Sequence, residues 1–291
     1  MQARRDLLDE EANEDAARVL DGPWLKALLD GLEDAGGGHV YNKWHGAHWR
    51  LVSAVELGLP AGERRAVTAY ERILAWLLGD GHRRNTRLIK DRWRRCGSQE
   101  GNALTVGVRL GLASDERVAR LARNLIGWQW PDGGWNCDKE PGASHSSFNE
   151  TVTPMGGLGV YAAATGDPDA AAAAARAADF ILRHAVYKSH KTGEVGNPKW
   201  LELRYPPYWR YDIAQGMLML TRAAALPDSR ASDAAEWLRS QQSEDGRWRL
   251  AGSPMWKPSG SMYRDPARWE RAGPSQMLTL NVLRSLRAQS A

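Results

Sequence analysis

A turn motif that recurs about every 53 residues is the feature that most constrains the fold of this chain. Residues 55–58 read VELG and residues 108–111 read VRLG, and weaker copies of the turn lie at 164–167 and 225–228. A second turn signal closes each unit, at Asp80-Gly81, Asp132-Gly133, Thr192-Gly193 and Asp245-Gly246. Self-similarity at this period is typical of stacked helical hairpins, in which each hairpin buries its apolar face against the next.

Two kinds of helical segment alternate along the chain. Apolar residues at helical spacing, with charges between them, predict helices over 14–33, 64–79, 115–130, 169–185 and 229–242. More neutral segments alternate with these, near 44–57, 96–111, 147–165, 208–225 and 275–288. The sequence shows no convincing strand alternation. A nearly charge-free helix is expected where neighbours cover both of its sides.

The alternation predicts an all-α fold, a closed or nearly closed α/α toroid of about five to six helical hairpins with the neutral helices inside. A single domain is expected to span residues 1–291. Long connections lead into the neutral helices, at 81–95, 131–146, 186–207 and 244–274. We expect them to cover one mouth of the ring, and long ordered loops often carry function.

Composition and charge exclude several classes of protein. No apolar run approaches the roughly 20 residues that span a bilayer, and the N-terminal segment lacks the apolar core of a signal peptide. Two cysteines, Cys96 and Cys137, make no disulfide framework, which favours a reducing compartment. A net charge of +4 gives little support to a nucleic-acid partner, although arginines cluster between 83 and 95. We therefore expect a cytoplasmic protein without a membrane span.

Two segments resemble a repeat of a known superfamily. Residues 129–135 (QWPDGGW) and, more weakly, 242–248 (QSEDGRW) resemble the Q-x-x-D-G-G-W repeat of squalene–hopene and oxidosqualene cyclases, which protein prenyltransferase β-subunits carry in a shorter form. The phrases RRCGSQEGNAL, QWPDGGWNCD, HSSFNET and YPPYWRYDI are similar to a smaller bacterial group labelled squalene-cyclase-like. The resemblance implies an α/α toroid of the terpenoid cyclase–prenyltransferase type. The repeat itself is structural, because Asp and Gly-Gly build a turn and Trp packs on the adjacent hairpin.

The chain departs from these enzymes at the residues that carry their chemistry. The acid motifs D-x-D-D and D-C-T-A-E of the two cyclase classes do not occur in it, and it has less than half the length that a two-barrel cyclase implies. The prenyltransferase zinc site reads D-x-C … H, whereas Cys137 and Asp138 are adjacent here and in the other order. Triterpene cyclisation is therefore not expected, and another reaction of the cyclase, lyase or isomerase type is favoured.

Polar side chains gather where the neutral helices begin, and these starts are expected to converge at one mouth of the ring. The candidate acids and bases there are Glu100, Asp138, Glu150, Asp212 and His48. Two carboxylates from different hairpins would push their pKa values apart and serve as acid and base. The alternative is that each carboxylate caps a helix or pairs with an arginine. No metal and no cofactor is predicted, because no compact ligand motif is present.

Aromatic and polar residues of the same segments are the candidate substrate contacts. The chain has 14 Trp but 2 Phe, and indole rings suit a pocket wall as well as packing between hairpins. The predicted contacts are Trp44, Trp49, Arg50, Cys96, Gln99, Asn102, Trp135, Asn136, Cys137, Ser147, Tyr208, Trp209 and Tyr211. Cys96 and Gln99 also match the spacing of the C-G-E-Q internal thioester of complement-type domains, with Ser98 in place of Glu. A small buried thiol at Cys96 is the alternative.

Three kinds of function fit these features. The favoured one is an enzyme that acts by acid–base chemistry on a small organic substrate in the mouth of the ring. A glycan-directed lyase or hydrolase on the same fold is the first alternative, since such toroids host both chemistries. A scaffold that binds a ligand or peptide without reaction is the second. An exposed terminal hairpin would also allow two copies of the chain to form a homodimer.

Overall fold

Helices alternate between inner and outer positions along the chain. The computed structural model describes residues 2–10, 16–34, 38–251, 267–270 and 272–291. In chain order the helices are α1 (Gln2–Leu8), α2 (Ala16–Val19), α3 (Pro23–Asp34), α4 (Ala47–Glu56), α5 (Arg64–Leu78), α6 (Asp80–Arg83), α7 (Gly97–Arg109), α8 (Glu116–Trp128), α9 (Phe148–Thr165), α10 (Pro168–Arg183), α11 (Ile213–Arg222), α12 (Ser232–Ser240) and α13 (Gln276–Ser290). They confirm the all-α prediction and follow the predicted segments, except that the segment 14–33 is divided between α2 and α3.

Helices α4, α7, α9, α11 and α13 form the inner ring. Each contacts the next in this order, and residues from all of them line one central cavity. The outer helices α3, α5, α8, α10 and α12 pack against them from outside; α5, for example, contacts both α4 and α7. Two concentric layers around a cavity are an α/α toroid of five hairpins. The neutral segments are the inner helices, as predicted.

The ring is closed at the carboxyl-terminal ends of its inner helices. The Glu56 carboxylate of α4 lies 2.5 Å from the guanidinium of Arg222 at the end of α11. Helix α1 lies beside them, because the amide of Gln2 donates to the carbonyl of Glu56 at 2.8 Å. Arg284 of α13 in turn donates to Gln2 and pairs with Asp6 of α1. Helix α1 therefore joins α13 to α4 across the closing gap.

Glycines allow the two most closely packed inner helices to meet. A Cβ on Gly101 of α7 would lie 2.4 Å from the backbone nitrogen of Pro154 in α9. A Cβ on Gly157 of α9 would lie 2.5 Å from the carbonyl oxygen of Gly101. Neither distance is possible for a side chain, so α7 and α9 approach each other through bare backbone.

The recurring turn has the structural role that the sequence predicts. Gly58, Gly111 and Gly166, each just after an inner helix, have φ values of +89°, +83° and +75°. Glycine adopts this left-handed conformation without steric cost. Asp-Gly at 80 and 81 differs from the other copies of the second signal, because it begins helix α6.

The Q-x-x-D-G-G-W segment ties outer helices together. The Gln129 amide donates to the carbonyls of Gly133 (2.7 Å) and Ala173 (2.8 Å), and so links the turn after α8 to α10. The Trp135 indole N–H donates to the carbonyl of Leu125 at 2.9 Å, and its ring is 1% exposed. Residues 242–248 make the corresponding bonds within their own hairpin.

Short strands that the sequence did not predict lie in the connections. Strands β1 (Arg87–Ile89) and β2 (Arg92–Arg94) form an antiparallel hairpin, and β3 (Arg249–Leu250) pairs with β4 (Gly273–Pro274). Ladders of two or three residues are too short to show an alternating pattern.

The connections between hairpins meet each other, as expected for a cover over one mouth. Arg95 donates its N–H to the carbonyl of Asn136 at 3.1 Å, which joins loops 81–95 and 131–146. Ala251 donates to the carbonyl of Leu203 at 3.0 Å, which joins the loops at 186–207 and 244–274. Residues 252–266 and 271 of the last loop lie outside the described residues. Among the residues described, no helix combines the length and apolar character needed to cross a bilayer.

Candidate functional site

The central cavity is enclosed by the five inner helices and by the segment that precedes α11. It contains about 820 Å³ of empty space, counting the part open to solvent. Apolar side chains such as Val52, Val106 and Leu218 form much of its wall. Polar members come from every inner helix: Ser53, Asn102, Thr105, Thr153, Gln215 and Asn281. A mainly apolar cavity with a few convergent polar groups is the usual form of a small-molecule site.

Asp212 is the buried carboxylate in the cavity wall. It is the N-cap of α11, and its side chain accepts hydrogen bonds from the backbone N–H of Gln215 at 2.8 Å and of Arg204 at 3.1 Å. It is 1% exposed. Burial raises the pKa of Asp212 to about 7, although these backbone bonds act against the rise. The carboxyl can therefore take up or release a proton near neutral pH.

Several polar atoms of the cavity-lining residues are buried without a partner among the described residues. They are Asn102 Nδ2, Gln215 Oε1 and the hydroxyl of Tyr205. An unsatisfied buried polar atom costs about 1–3 kcal/mol. These atoms come from three different parts of the chain, and their unused bonding capacity indicates that the cavity receives polar ligand atoms or ordered water.

A second group of reactive side chains lies where α7 and α9 begin, and we refer to Cys96, Cys137 and Glu150 as the thiol–carboxylate cluster. One donor atom from each lies within 4.8 Å of the other two. The Glu150 carboxylate accepts from the N–H and the hydroxyl of Ser98 at 3.2 and 2.8 Å through Oε2. Its Oε1 lies 3.6 Å from the Cys137 sulfur.

The ionisation of the cluster follows from its burial and its contacts. Burial raises the pKa of Glu150. The hydrogen bond between the two thiols, together with burial, raises the pKa of Cys96, and the same bond lowers the pKa of Cys137.

Glu100 is a buried ion-pair partner. Its Oε1 accepts from Arg95 at 2.8 and 3.0 Å and lies 3.0 Å from His82 Nε2, and the residue is 0% exposed. Glu100 therefore pairs with an arginine, which was the predicted alternative to a catalytic role. Its charge contributes to the raised pKa of Glu150.

Of the four candidate carboxylates, Asp212 is the one among the residues that line the cavity. Glu100 and Glu150 are electrostatic neighbours, and Asp212 lines the cavity. Asp138 is exposed in its loop, where its Oδ1 accepts from the N–H of Glu140 at 2.9 Å. A catalytic role for Asp138 stays a prediction.

His48 belongs to an aromatic cluster between α4 and α5. Its ring lies 5.1 Å from that of Tyr41 and 5.0 Å from that of Trp49, and it is 1% exposed. Burial, followed by the charge of His82, lowers the pKa of His48 to about 3. The imidazole is therefore neutral at neutral pH and a weak base.

The predicted aromatic contacts pack mostly on one another. Trp44 stacks on Tyr208 with ring centroids 4.4 Å apart, and Trp49 meets both rings edge-on. Of these rings, Tyr208 lines the cavity. Trp209 lies beside the ammonium of Lys43, 5.8 Å from its ring centroid. Tyr211 donates its hydroxyl to the carbonyl of Val186.

The remaining predicted contacts hold backbone or side chains in place. Arg50 donates to the carbonyls of Ala27 and His45 and so fastens α4 to α3. Asn136 donates to the carbonyl of His145 at 2.9 Å. Ser147 is the N-cap of α9, Gln99 accepts from Arg95 at 2.8 Å, and Trp135 is a core residue of the repeat. The Cys96 sulfur lies within 4.8 Å of the Cys137 sulfur, and the thioester of Cys96 with Gln99 stays a prediction.

Of the predicted residues, Asn102, Asp212 and Tyr208 lie at the cavity. The sequence analysis missed other polar residues of its wall: Ser53, Glu56, Thr105, Thr153, Arg204, Gln215, Arg222 and Asn281. The available signal was polar residues three apart inside otherwise neutral helices, as in Asn102 and Thr105 or Asp212 and Gln215.

Comparison with known proteins finds distant similarity to solved structures. No family model matches the chain, and no curated protein matches it. A solved structure described as a protein from Actinoplanes is 15% identical, with a TM-score of 0.41 over 92% of this chain and 90% of that one. Unsaturated glucuronyl hydrolase from Bacillus sp. GL1, described as responsible for the degradation of glycosaminoglycan, is 14% identical, with a TM-score of 0.38 over 92% and 95%. The squalene-cyclase-like resemblance stays a prediction.

Proposed function

We propose that the chain is an enzyme that binds a small organic substrate in the central cavity and transforms it by acid–base chemistry of the lyase or isomerase type. The observation that carries this proposal is Asp212, a buried carboxyl in the wall of an enclosed cavity with a pKa of about 7. A general acid or base is most effective when its pKa lies near the working pH.

The surroundings of Asp212 suit proton transfer. Backbone N–H groups of Gln215 and Arg204 fix the orientation of the carboxyl without a side chain that could swing away. Asn102 and Tyr205 offer an amide and a hydroxyl with unused bonding capacity to orient a polar substrate group. The apolar wall strengthens these interactions because it excludes water.

A glycan-directed reaction is the second candidate. Tyr205 and Tyr208 both line the cavity, and aromatic rings offer an apolar face against which a sugar ring can pack. A carboxyl that protonates a glycosidic or enol ether oxygen would need the same raised pKa that Asp212 has.

The test combines ligand capture with a substitution at Asp212. The purified chain is incubated with separate pools of small acids and terpenoids and of oligosaccharides, bound compounds are identified by native mass spectrometry, and each is then assayed for conversion. For a converted compound, Asp212→Asn is expected to keep its Kd within a few-fold and to lose about 100-fold or more in kcat. The pool that yields the converted compound distinguishes the two candidates.

Asp167→Asn is the matched control, because Asp167 caps α10 in the same manner, with its carboxylate on the N–H groups of Asp169 and Ala170. Asp167 is not among the residues that line the cavity, so its substitution should leave kcat unchanged. Undiminished turnover by Asp212→Asn would exclude Asp212 as the acid–base residue. Binding without conversion of any captured compound would favour a binding protein.

A further inference from the structure

We propose that the thiol–carboxylate cluster of Cys96, Cys137 and Glu150 binds a zinc-class divalent cation with three protein ligands. Thiolate sulfur and carboxylate oxygen are both established zinc ligands. The site is separate from Asp212 and does not depend on the function proposed for the cavity.

The spacing of the donor atoms suits tetrahedral coordination. Ligand atoms at about 2.0–2.3 Å from a tetrahedral zinc lie roughly 3.3–3.8 Å from one another. The Cys137 sulfur and Glu150 Oε1 lie 3.6 Å apart, and all three donors lie within 4.8 Å of each other. The upper limit of 4.8 Å exceeds the coordinated spacing by about 1 Å, so the donors would draw together by at most about that much on binding the ion.

Backbone contacts place the two thiols next to each other. The residues that precede the cysteines are joined, because Arg95 donates its N–H to the carbonyl of Asn136. Cys96 and Cys137 therefore leave this bridge side by side, one at the start of α7 and the other in the loop 131–146. Three ligands from separate parts of the chain give no compact motif, which is why the sequence predicted no metal.

Ser98 acts as an orienting partner of the carboxylate ligand. Its N–H and hydroxyl both donate to Oε2 of Glu150, which leaves Oε1 beside the Cys137 sulfur. Hydrogen-bonded partners of this kind fix the geometry of metal ligands.

The charge of the cluster favours a cation. Two thiolates and a carboxylate would repel one another, and among the described residues no lysine or arginine forms an ion pair with Glu150. The nearby Arg95 is held on Glu100 and Gln99 instead. A divalent ion would displace the two thiol protons into solvent and neutralise most of the negative charge. Its fourth coordination position would be open to water or another small ligand.

The first test uses the unaltered chain, reduced and freed of metal with a chelator. Titration with zinc against a coloured chelator should show one tightly bound ion per chain, and cobalt(II) should give the intense near-ultraviolet band of thiolate-to-cobalt charge transfer. If the native chain binds no zinc, or if cobalt binds without that band, the proposal is overturned.

Substitutions then identify the ligands. Cys96→Ser and Cys137→Ser should each weaken or abolish the charge-transfer band and lose stoichiometric zinc binding, and Glu150→Gln should lose stoichiometric zinc binding. Ser98→Ala keeps all three ligands and should weaken binding by about 10- to 100-fold. Glu140→Gln is the control, because Glu140 is an exposed carboxylate of the same loop as Cys137 and should leave affinity unchanged. Circular dichroism confirms folding of each variant. Native affinity in both cysteine variants would overturn the assignment.

Discussion

Two aspartates that cap helices in this chain, Asp115 and Asp212, differ in acidity because their surroundings differ. Asp115 and Asp212 are both N-caps, of α8 and α11. The Arg117 side chain beside Asp115 lowers the pKa of that carboxyl, whereas burial raises the pKa of Asp212 to about 7. The inner helix imposes desolvation that an outer helix does not, so the position within the ring sets the chemistry.

The raised pKa of Asp212 predicts a pH-dependent stability. The folded chain keeps this proton up to about pH 7, whereas the unfolded chain loses it near its ordinary value of 3.8. The folded state therefore binds more protons between these values, and the contribution of Asp212 to the free energy of unfolding falls as the pH rises from about 4 to 7. Asp212→Asn removes this dependence, so its stability relative to the native chain should improve across that window by up to about 4 kcal/mol.

Urea unfolding at several pH values across the window measures the effect. The substitution also replaces a carboxyl oxygen with an amide donor, and any stability that this exchange costs is independent of pH. This cost does not affect the test, because the test uses only how the stability difference between Asp212→Asn and the native chain changes with pH. Asp167→Asn, the same exchange at a helix N-cap away from the cavity, is measured alongside as the control. A constant difference between Asp212→Asn and the native chain would mean that Asp212 is ionised throughout.

Local polarity predicts part of the site and misses the rest for a physical reason. Asp212 and Asn102 stood out because polar residues at the start of a neutral helix require partners. The same signal selected Arg50, which donates to a backbone carbonyl of α3, and His48, whose ring packs against Tyr41. Gln215, one turn further into its helix, was missed because the inward direction of a side chain depends on how the helices are rotated in the ring.

At the scale of elements, the contact between α7 and α9 depends on glycine. Gly101→Ala would place a Cβ 2.4 Å from the nitrogen of Pro154. The helices must then separate, and we expect a loss of about 2–4 kcal/mol in the free energy of unfolding, at or above the usual range for overpacking. Gly127→Ala in α8 is the control, because its Cβ would meet nothing within 4 Å. It should stabilise the chain by about 0.5–1 kcal/mol through helix propensity. Equal effects of the two alanines in chemical denaturation would contradict this account.

The tryptophans that end the two repeat segments should contribute equally to stability, because each donates the same kind of hydrogen bond to a helix carbonyl. Trp135 donates to Leu125 at 2.9 Å and Trp248 to Leu238 at 2.7 Å, both ten residues back in the preceding outer helix. Each Trp→Phe change leaves a buried carbonyl without its donor and a small cavity, which together should cost about 2–4 kcal/mol. Thermal and urea unfolding measure both variants. Trp93→Phe, at a 36% exposed ring, should change stability by less than about 0.5 kcal/mol. A negligible loss at Trp135 would contradict a structural role for the repeat.

Helices were predictable from the sequence where charge and periodicity agreed. The alternation of charged and neutral segments separated outer from inner helices because only a helix covered on both sides must do without charge. The strands at β1 and β2 were not predictable, since three residues cannot establish an alternating pattern. Helix α6 was missed because Asp80-Gly81 also fits a turn.

For the whole molecule, one ion pair joins two inner helices across the ring at the wall of the cavity. The Glu56–Arg222 pair joins α4 to α11, and both residues line the cavity. Burial alone would raise the pKa of Glu56, but the charge and hydrogen bond of Arg222 outweigh it, and the pKa is lowered. The ionised pair therefore persists at neutral pH.

A double-mutant cycle tests how much this ion pair stabilises the ring. The side chains of Arg222 and Glu56 are 10% and 17% exposed, between the fully buried pairs whose disruption costs about 3–5 kcal/mol and the exposed pairs that contribute at most about 1 kcal/mol. We expect a coupling free energy of about 2 kcal/mol from urea unfolding of Glu56→Gln, Arg222→Met and the double variant. The control cycle is Glu71→Gln with Arg117→Met, a pair that joins α5 to α8 at 43% and 46% exposure and should couple by less than about 1 kcal/mol. If the two cycles gave the same small coupling, closure would depend on helix α1 and apolar packing, because the ion pair across the ring would then contribute no more than a surface contact.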